Sequence, residues 1–113
     1  MWKIFQSGQS FQNIDSDQLQ KILRDNPTLV LLDVRTASEF KGGAIPGAVN
    51  IDVMQFSFKQ KVRALETGAT YAVICRSGGR SSQACKIMSK MGFENLYNLS
   101  GGMSRWSGEV KRQ

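Results

Sequence analysis

The chain has 113 residues and a formal net charge of +6. With 41% hydrophobic and 21% charged residues, its composition is that of a globular protein, and its length suits one domain with a real core. It contains two cysteines and no histidine. That content excludes Ser-His-Asp and Cys-His nucleophiles, and it excludes zinc sites built on histidine or on four cysteines.

No apolar run approaches the length of a transmembrane helix, and residues 1–6 lack the apolar centre of a signal peptide. We therefore expect a cytoplasmic protein without membrane contact. Basic residues are spread along the chain without interleaved aromatic residues, so we expect solvated helix faces and no nucleic-acid binding. Because no obvious apolar patch marks a partner surface, we also expect a monomer.

The chain begins with a strand, a capped helix and a second strand. Residues 11–14 predict the first strand, and Asp15 then caps a helix with Gln18 as its capping-box partner. Residues 29–32 form an apolar run that is typical of a central strand covered on both faces.

The middle of the chain continues this alternation. Thr36 or Ser38 is expected to cap a short helical turn, and residues 48–51 predict a third strand. Asp52 is expected to cap the next helix, whose buried face carries Phe58, Val62 and Leu65.

The last third predicts a strand over residues 71–74, a helix ending at Met91, and a strand over residues 95–99. Gly92 stands at the left-handed position that follows a helix, and residues 109–113 are expected to be frayed. Strands that alternate with helices predict right-handed βαβ units and an α/β fold with a mainly parallel sheet covered on both faces.

Cys75 stands where the strand over residues 71–74 ends, and a glycine-containing loop carries it into the next helix. In open α/β sheets this is the position where ligands bind. Inward-pointing amides, the helix dipole and two arginines favour an anion there, and the nearest anion is the Cys75 thiolate. We therefore predict that Cys75 is catalytic and has a lowered pKa. The residues predicted to contact Cys75 and its substrate are Arg76, Ser77, Gly78, Gly79, Arg80 and Ser81.

The alternative for Cys75 is an inert core cysteine, which is the commoner role of a free cysteine. Two arginines and two glycines in the next five residues favour the functional interpretation. For Cys85, in the following helix, we expect a small core residue rather than a resolving thiol. Asp33 and Arg35 follow the second strand, and we expect an ion pair or hydrogen-bonded turn that fixes the loops near the site.

The Cys75 loop resembles the active-site loop of the rhodanese family of sulfurtransferases. Further stretches are similar to the family in the same order: residues 32–35 (LDVR), Glu39 with Phe40, residues 43–50 (GAIPGAVN), and residues 99–103 (LSGGM) with Trp106. The family often has histidine where this chain has Ala44, a position usually regarded as structural. The resemblance covers about residues 11–106 and implies that residues 1–113 form one rhodanese-like domain.

The resemblance implies a five-stranded sheet flanked by helices, with Asp33, Arg35 and Glu39 as structural support near the site. It implies transfer of sulfane sulfur from thiosulfate or a persulfide, through a Cys75 persulfide, to cyanide or a thiol. No cofactor or metal is expected, and the partner could be a thioredoxin-like or desulfurase protein.

Three alternatives stay open at this point. A cysteine-dependent phosphatase would use a Cys-x5-Arg loop, whereas Cys75 and Arg80 have Cys-x4-Arg spacing. Arsenate reductase-like chemistry is not excluded by spacing alone. A non-catalytic rhodanese-like binding module typically lacks the cysteine that this chain keeps.

Overall fold

The computed structural model describes residues 10–113, so the expectation about residues 1–6 lies outside it. The described residues contain a five-stranded sheet in the order β1-β5-β4-β2-β3, and all four pairings are parallel. The strands are β1 (Gln12–Ile14), β2 (Val30–Asp33), β3 (Val49–Asn50), β4 (Thr70–Ile74) and β5 (Asn95–Leu99). This confirms the predicted α/β fold, and the sheet is parallel throughout rather than mainly parallel.

Helices connect the strands in chain order. They are α1 (Ser16–Asp25), α2 (Ala37–Gly42), α3 (Phe58–Val62), α4 (Gly79–Lys90) and a final 3-10 helix (Gly102–Arg105). Within residues 10–113, none of these helices combines the length and apolarity that a membrane crossing needs.

Alternate residues of β4 face two separate apolar layers, as the pleat of a strand requires. Tyr71, Val73 and Cys75 belong to the layer that contains buried residues of α3 and α4. Ala72 and Ile74 belong to the opposite layer, which contains Leu19 of α1 and Leu99 of β5. Helices therefore cover both faces of the sheet, and Cys75 emerges on the α3–α4 side.

Local capping signals explain where the first two helices start. Asp15 and Gln18 form the expected capping box at α1, and Thr36, not Ser38, caps α2. The cap predicted at Asp52 is wrong. Its carboxylate accepts from the Met54 amide at 2.8 Å and closes a local turn, while α3 begins only at Phe58.

The prediction of a frayed C-terminus is also wrong. Lys111 and Ala44 exchange two backbone hydrogen bonds, of 2.9 and 2.8 Å, and the Trp106 indole N–H donates to the Glu109 carbonyl at 3.0 Å. Backbone pairing does not depend on side-chain polarity, so a polar segment can be held in place by its main chain.

Candidate active site

Cys75 lies at the carboxyl edge of the sheet, one residue beyond β4. Asp33 of β2 is in register with Ile74 on one side and with Asn50 on the other. The segments that follow β2, β3 and β4 therefore leave the sheet side by side. The Val34 amide extends the pairing by donating to the Ile74 carbonyl at 2.8 Å, so the Cys75 loop starts from a rigid base.

The loop curls around the Cys75 sulfur. Gly78 has a φ of 103°, a left-handed conformation that glycine adopts without strain, and its amide donates to the Cys75 Sγ at 3.0 Å. The Ser81 Oγ lies 3.3 Å from the same sulfur. Both Cys75 and Ser81 are buried, so these groups replace water around the sulfur.

Burial and hydrogen bonding act in opposite directions on the pKa of Cys75. Burial raises the pKa of the thiol, but its hydrogen bond with the Ser81 hydroxyl and those from the amides of Ser81, Gly78 and Ser77 outweigh burial and lower the pKa. The direction is the one expected from the sequence. Donors of its own loop, without any imidazole, thus favour the thiolate form of the sulfur.

A buried asparagine that the sequence analysis missed supports Ser81. The Ser81 hydroxyl donates to the Asn98 Oδ1, and the Asn98 Nδ2 donates to the Asn13 Oδ1 at 2.9 Å. Asn98 is 4% exposed. A polar residue between apolar neighbours in a predicted strand was the available signal, because a polar residue that becomes buried needs a partner.

The final 3-10 helix donates backbone hydrogen bonds to the Cys75 loop. The Met103 amide donates to the Cys75 carbonyl at 2.9 Å, and the Ser104 amide donates to the Arg76 carbonyl at 2.9 Å. Gly102 leaves no space for a side chain, since a Cβ there would lie 2.4 Å from the Cys75 carbonyl oxygen. The final 3-10 helix therefore lies directly against the backbone of the Cys75 loop at Gly102.

Arg80 faces a carboxylate in the structure. Its guanidinium donates to both oxygens of Glu39, at 2.7 and 2.9 Å. The hydrogen bond from Arg80 is the main reason that the pKa of Glu39 falls to about 2. Glu39 in turn raises the pKa of Arg80, with a smaller electrostatic contribution from Cys75. Arg80 thus adds positive charge near the sulfur while being fixed to α2.

The ion pair expected between Asp33 and Arg35 is present and buried. The Arg35 Nη2 lies 2.7 Å from the Asp33 Oδ2 and also donates to the Gly43 carbonyl at 2.8 Å. Asn50, which the sequence analysis did not identify, donates to the carbonyls of Asp33 and Arg35, each at 2.9 Å. These bonds tie the segment after β2 to the end of α2 and to β3.

Arg76 is exposed and borders an open cleft beside the loop. The cleft has a volume of about 560 Å³ and is lined among others by Glu39, Ser104 and Val110. The cleft thus places a cationic side chain beside the start of the loop and has room for a small molecule. Within residues 10–113, no cluster of His, Cys, Asp or Glu side chains has a metal-binding arrangement.

Cys85 lies in a different environment from Cys75. Its side chain is fully buried, and burial, together with the negative charge of Cys75, raises the pKa of its thiol to about 12. Both cysteines are free. A neutral, buried thiol is a poor nucleophile, which agrees with the expectation of a core residue.

Comparison with known proteins places this site in a family. The model of the rhodanese-like domain matches residues 15–109, so the chain belongs to the rhodanese-like domain family. It is 36% identical over 100 residues to the "Putative sulfurtransferase YtwF" of Bacillus subtilis, covering 88% of this chain and 94% of that protein. It is 32% identical over 94 residues to the "Sulfurtransferase" of Allochromatium vinosum, covering 83% of this chain and 86% of that one.

Solved structures show the same relationship. The crystal structure of a rhodanese-like domain protein from Staphylococcus aureus superposes with a TM-score of 0.80 at 25% sequence identity, covering 91% of this chain and 99% of that chain. The rhodanese resemblance seen in the motifs is therefore confirmed, and relatives of this chain are named sulfurtransferases.

Proposed function

We propose that the protein is a sulfurtransferase that moves sulfane sulfur from thiosulfate, or from a persulfide donor, to a thiol or to cyanide. The observation that carries this proposal is the donor set around the Cys75 sulfur. The Gly78 amide and the Ser81 hydroxyl lie within hydrogen-bonding distance of it, and together with neighbouring amides they lower its pKa. A thiolate in such a setting is a nucleophile at neutral pH.

The reaction has two balanced steps. In the first, the Cys75 thiolate attacks the outer sulfur of thiosulfate, a sulfur–sulfur bond forms, and the donor's own sulfur–sulfur bond breaks to release sulfite. In the second, a thiolate or cyanide attacks the outer sulfur of the Cys75 persulfide, and Cys75 leaves as a thiolate. The order is ping-pong covalent catalysis, and neither step needs an external oxidant or reductant.

The amides of the loop suit the intermediate as well as the thiolate. A persulfide carries negative charge on its outer sulfur, and preorganised N–H donors stabilise charge that develops during reaction. We propose that Ser77, Gly78, Gly79 and Ser81 contribute these donors. Arg76, which is exposed at the cleft, is proposed to bind the anionic end of the donor.

Arg80 is proposed to act differently from Arg76. Because Glu39 engages it through two hydrogen bonds, Arg80 would supply a fixed positive charge and keep α2 against the loop. Asp33 and Arg35 are proposed as structural support for the same edge. A thioredoxin-like or desulfurase protein is a suitable partner for the thiol and persulfide chemistry, and a reducing cytoplasmic setting would keep such thiols available.

The alternatives make different demands on the loop. A phosphatase must bind a tetrahedral phosphoryl group and its in-line leaving group, and Cys-x5-Arg enzymes do so with one more residue than this loop has. Here the Gly78 amide points at the sulfur itself from 3.0 Å, which favours a small loop around one sulfur atom. A binding module without turnover would not need a stabilised thiolate.

The decisive experiment is mass spectrometry of the protein after incubation with thiosulfate. We expect a gain of one sulfur atom, and we expect cyanide to remove it as thiocyanate. Cys75→Ser should abolish the gain, whereas the matched variant Cys85→Ser should retain it. No gain in mass, together with hydrolysis of an aryl phosphate, would replace the sulfurtransferase by a phosphatase.

A further inference from the structure

Two large apolar side chains are exposed close to the site but take no part in it. Phe56 is fully exposed and Met54 is 69% exposed. Both lie in the segment between β3 and α3, residues 51–57, which we term the β3–α3 loop. No apolar patch was expected from the sequence, and the neighbouring Phe58 is in fact buried. Exposed apolar residues that adjoin each other often mark an interaction surface.

The β3–α3 loop is held beside the Cys75 loop by the backbone of the sheet. The Ile51 amide donates to the Asp33 carbonyl at 3.0 Å, and the Val53 amide donates to the Val34 carbonyl at 3.2 Å. Ile51 and Phe58 also belong to the buried cluster that contains Cys75. Anchored at both ends, the loop presents its middle residues at the edge of the sheet where the sulfur emerges.

Electrostatics also link this loop to the site. Asp52 adds to the rise in the pKa of Arg80, most of which comes from Glu39. Such an effect needs Asp52 to lie near Arg80, because charge–charge interactions weaken with distance and solvent screening. Asp52 is therefore close enough to Arg80 for their charges to interact, although no ion pair joins the two within residues 10–113.

The segment that carries Met54 and Phe56 has a small net positive charge. Residues 52–66 contain three basic residues and two acidic ones, Asp52 and Glu66, and both Lys59 and Lys61 are exposed on α3. Within residues 10–113, neither lysine is paired with a carboxylate. Apolar anchors beside unpaired positive charge are complementary to a partner that has apolar side chains among acidic ones.

We propose that the β3–α3 loop and the exposed lysines of α3 dock an acidic protein that presents a thiol to the Cys75 persulfide. This inference rests on the proposed function and names the class of acceptor. A small thiol needs no docking surface and would not need Met54 or Phe56. A protein thiol must be positioned by contacts outside the reaction centre, and large apolar side chains give such contacts much of their energy.

The transfer step balances without a further reagent. The partner's thiolate attacks the outer sulfur of the Cys75 persulfide, a sulfur–sulfur bond forms on the partner, and the Cys75 sulfur–sulfur bond breaks. The partner leaves as a persulfide, and Cys75 returns to a thiolate.

The test uses full-length protein loaded with one sulfur on Cys75 and two synthetic acceptor peptides. One peptide carries a single cysteine among aspartate, glutamate and leucine. The other has the same sequence with asparagine and glutamine in place of the acids. At low salt we expect the acidic peptide to accept sulfur about tenfold faster than the neutral one, and this preference should shrink as salt is added.

The variants separate docking from chemistry. Met54→Ser/Phe56→Ser and Lys59→Gln/Lys61→Gln should each slow transfer to the acidic peptide by about three- to tenfold. Transfer from the loaded protein to cyanide should keep the parent rate. The matched control Lys86→Gln/Lys90→Gln removes the same charge from exposed positions of α4 and should leave both reactions unchanged.

Several results would overturn the proposal. One is an equal rate of transfer to the two peptides, and another is an unchanged rate in both test variants. A third is an equal loss of rate in the α4 control, which would show that the net charge of the protein alone explains the preference. A loss of RNA or anionic-vesicle binding in the test variants, with peptide transfer intact, would assign the surface to another partner. Failure of the protein to load sulfur and to form thiocyanate would instead refute the proposed function itself.

Discussion

Replacing Ser81 by alanine tests how the loop stabilises the thiolate. The change removes a hydroxyl that lies 3.3 Å from the Cys75 Sγ and that contributes to its lowered pKa. A hydrogen bond to a charged group contributes about 1.5–3 kcal/mol, and one pH unit of pKa corresponds to about 1.4 kcal/mol. We expect the pKa of Cys75 to rise by about one pH unit, the lower part of that range, because the Asn98 Oδ1 competes for the same hydroxyl proton.

The assay is the rate of alkylation by iodoacetamide as a function of pH. The reactive species is the thiolate, so the profile of Ser81→Ala should move to higher pH. Cys85 will not interfere, since it is buried and its pKa is about 12. Ser77→Ala is the control, because the Ser77 side chain is exposed and its amide is retained. An unchanged profile in a folded Ser81→Ala protein would refute the role given to the hydroxyl.

Four further outcomes are expected. Cys85→Ser should keep most thiocyanate formation, and an equal loss with Cys75→Ser would make Cys85 a resolving thiol. One glycine inserted after Gly79 should sharply lower that activity by widening the loop, and undiminished activity would show that loop length is not decisive. Gly102→Ala should lower the melting temperature and the activity, since φ is 55° and the added Cβ would meet the Cys75 carbonyl. The control is Gly101→Ala, at a φ of 82°. Its added Cβ would meet mainly the flexible Arg105 side chain, so this variant should keep more activity. The pKa of Glu39 lies at about 2, below its ordinary 4.5. The stability that ionised Glu39 contributes is therefore present above pH 4.5 and is lost as the pH falls towards 2. In thermal melts over that pH interval, the Glu39→Gln variant should lose less stability than the parent protein.

The strand, loop and helix around Cys75 were predictable because their signals are local. An apolar run over residues 71–74 precedes the cysteine, two glycines follow it, and Gly92 stands just past the end of α4, where φ is 101°. Alternation of strands with helices then leaves few arrangements besides a parallel sheet. In such a sheet the residue after a central strand lies at the ligand-binding edge, so the position of Cys75 followed from the same pattern.

The partners of Arg80 and Ser81 could not be predicted in the same way. Glu39 is 41 positions from Arg80 and Asn98 is 17 positions from Ser81, and no spacing rule connects residues so far apart. The sequence supported a free arginine facing the substrate, whereas folding brings a carboxylate to it. Exposure is equally non-local, since Phe56 and Phe58 are alike in sequence but only Phe58 fits between α3 and the sheet.

The hydrogen bonds behind the Cys75 loop explain why its amides face the sulfur. A buried carbonyl needs a donor, and the carbonyls of Cys75 and Arg76 receive theirs from Met103 and Ser104. With these carbonyls turned outward and satisfied, the peptide units that follow can direct their N–H groups inward. The glycine that permits this approach, Gly102, lies far along the chain from Cys75 yet acts on the same thiolate. The final 3-10 helix therefore supports the candidate site, and displacing it should raise the pKa of Cys75 through the backbone of the loop.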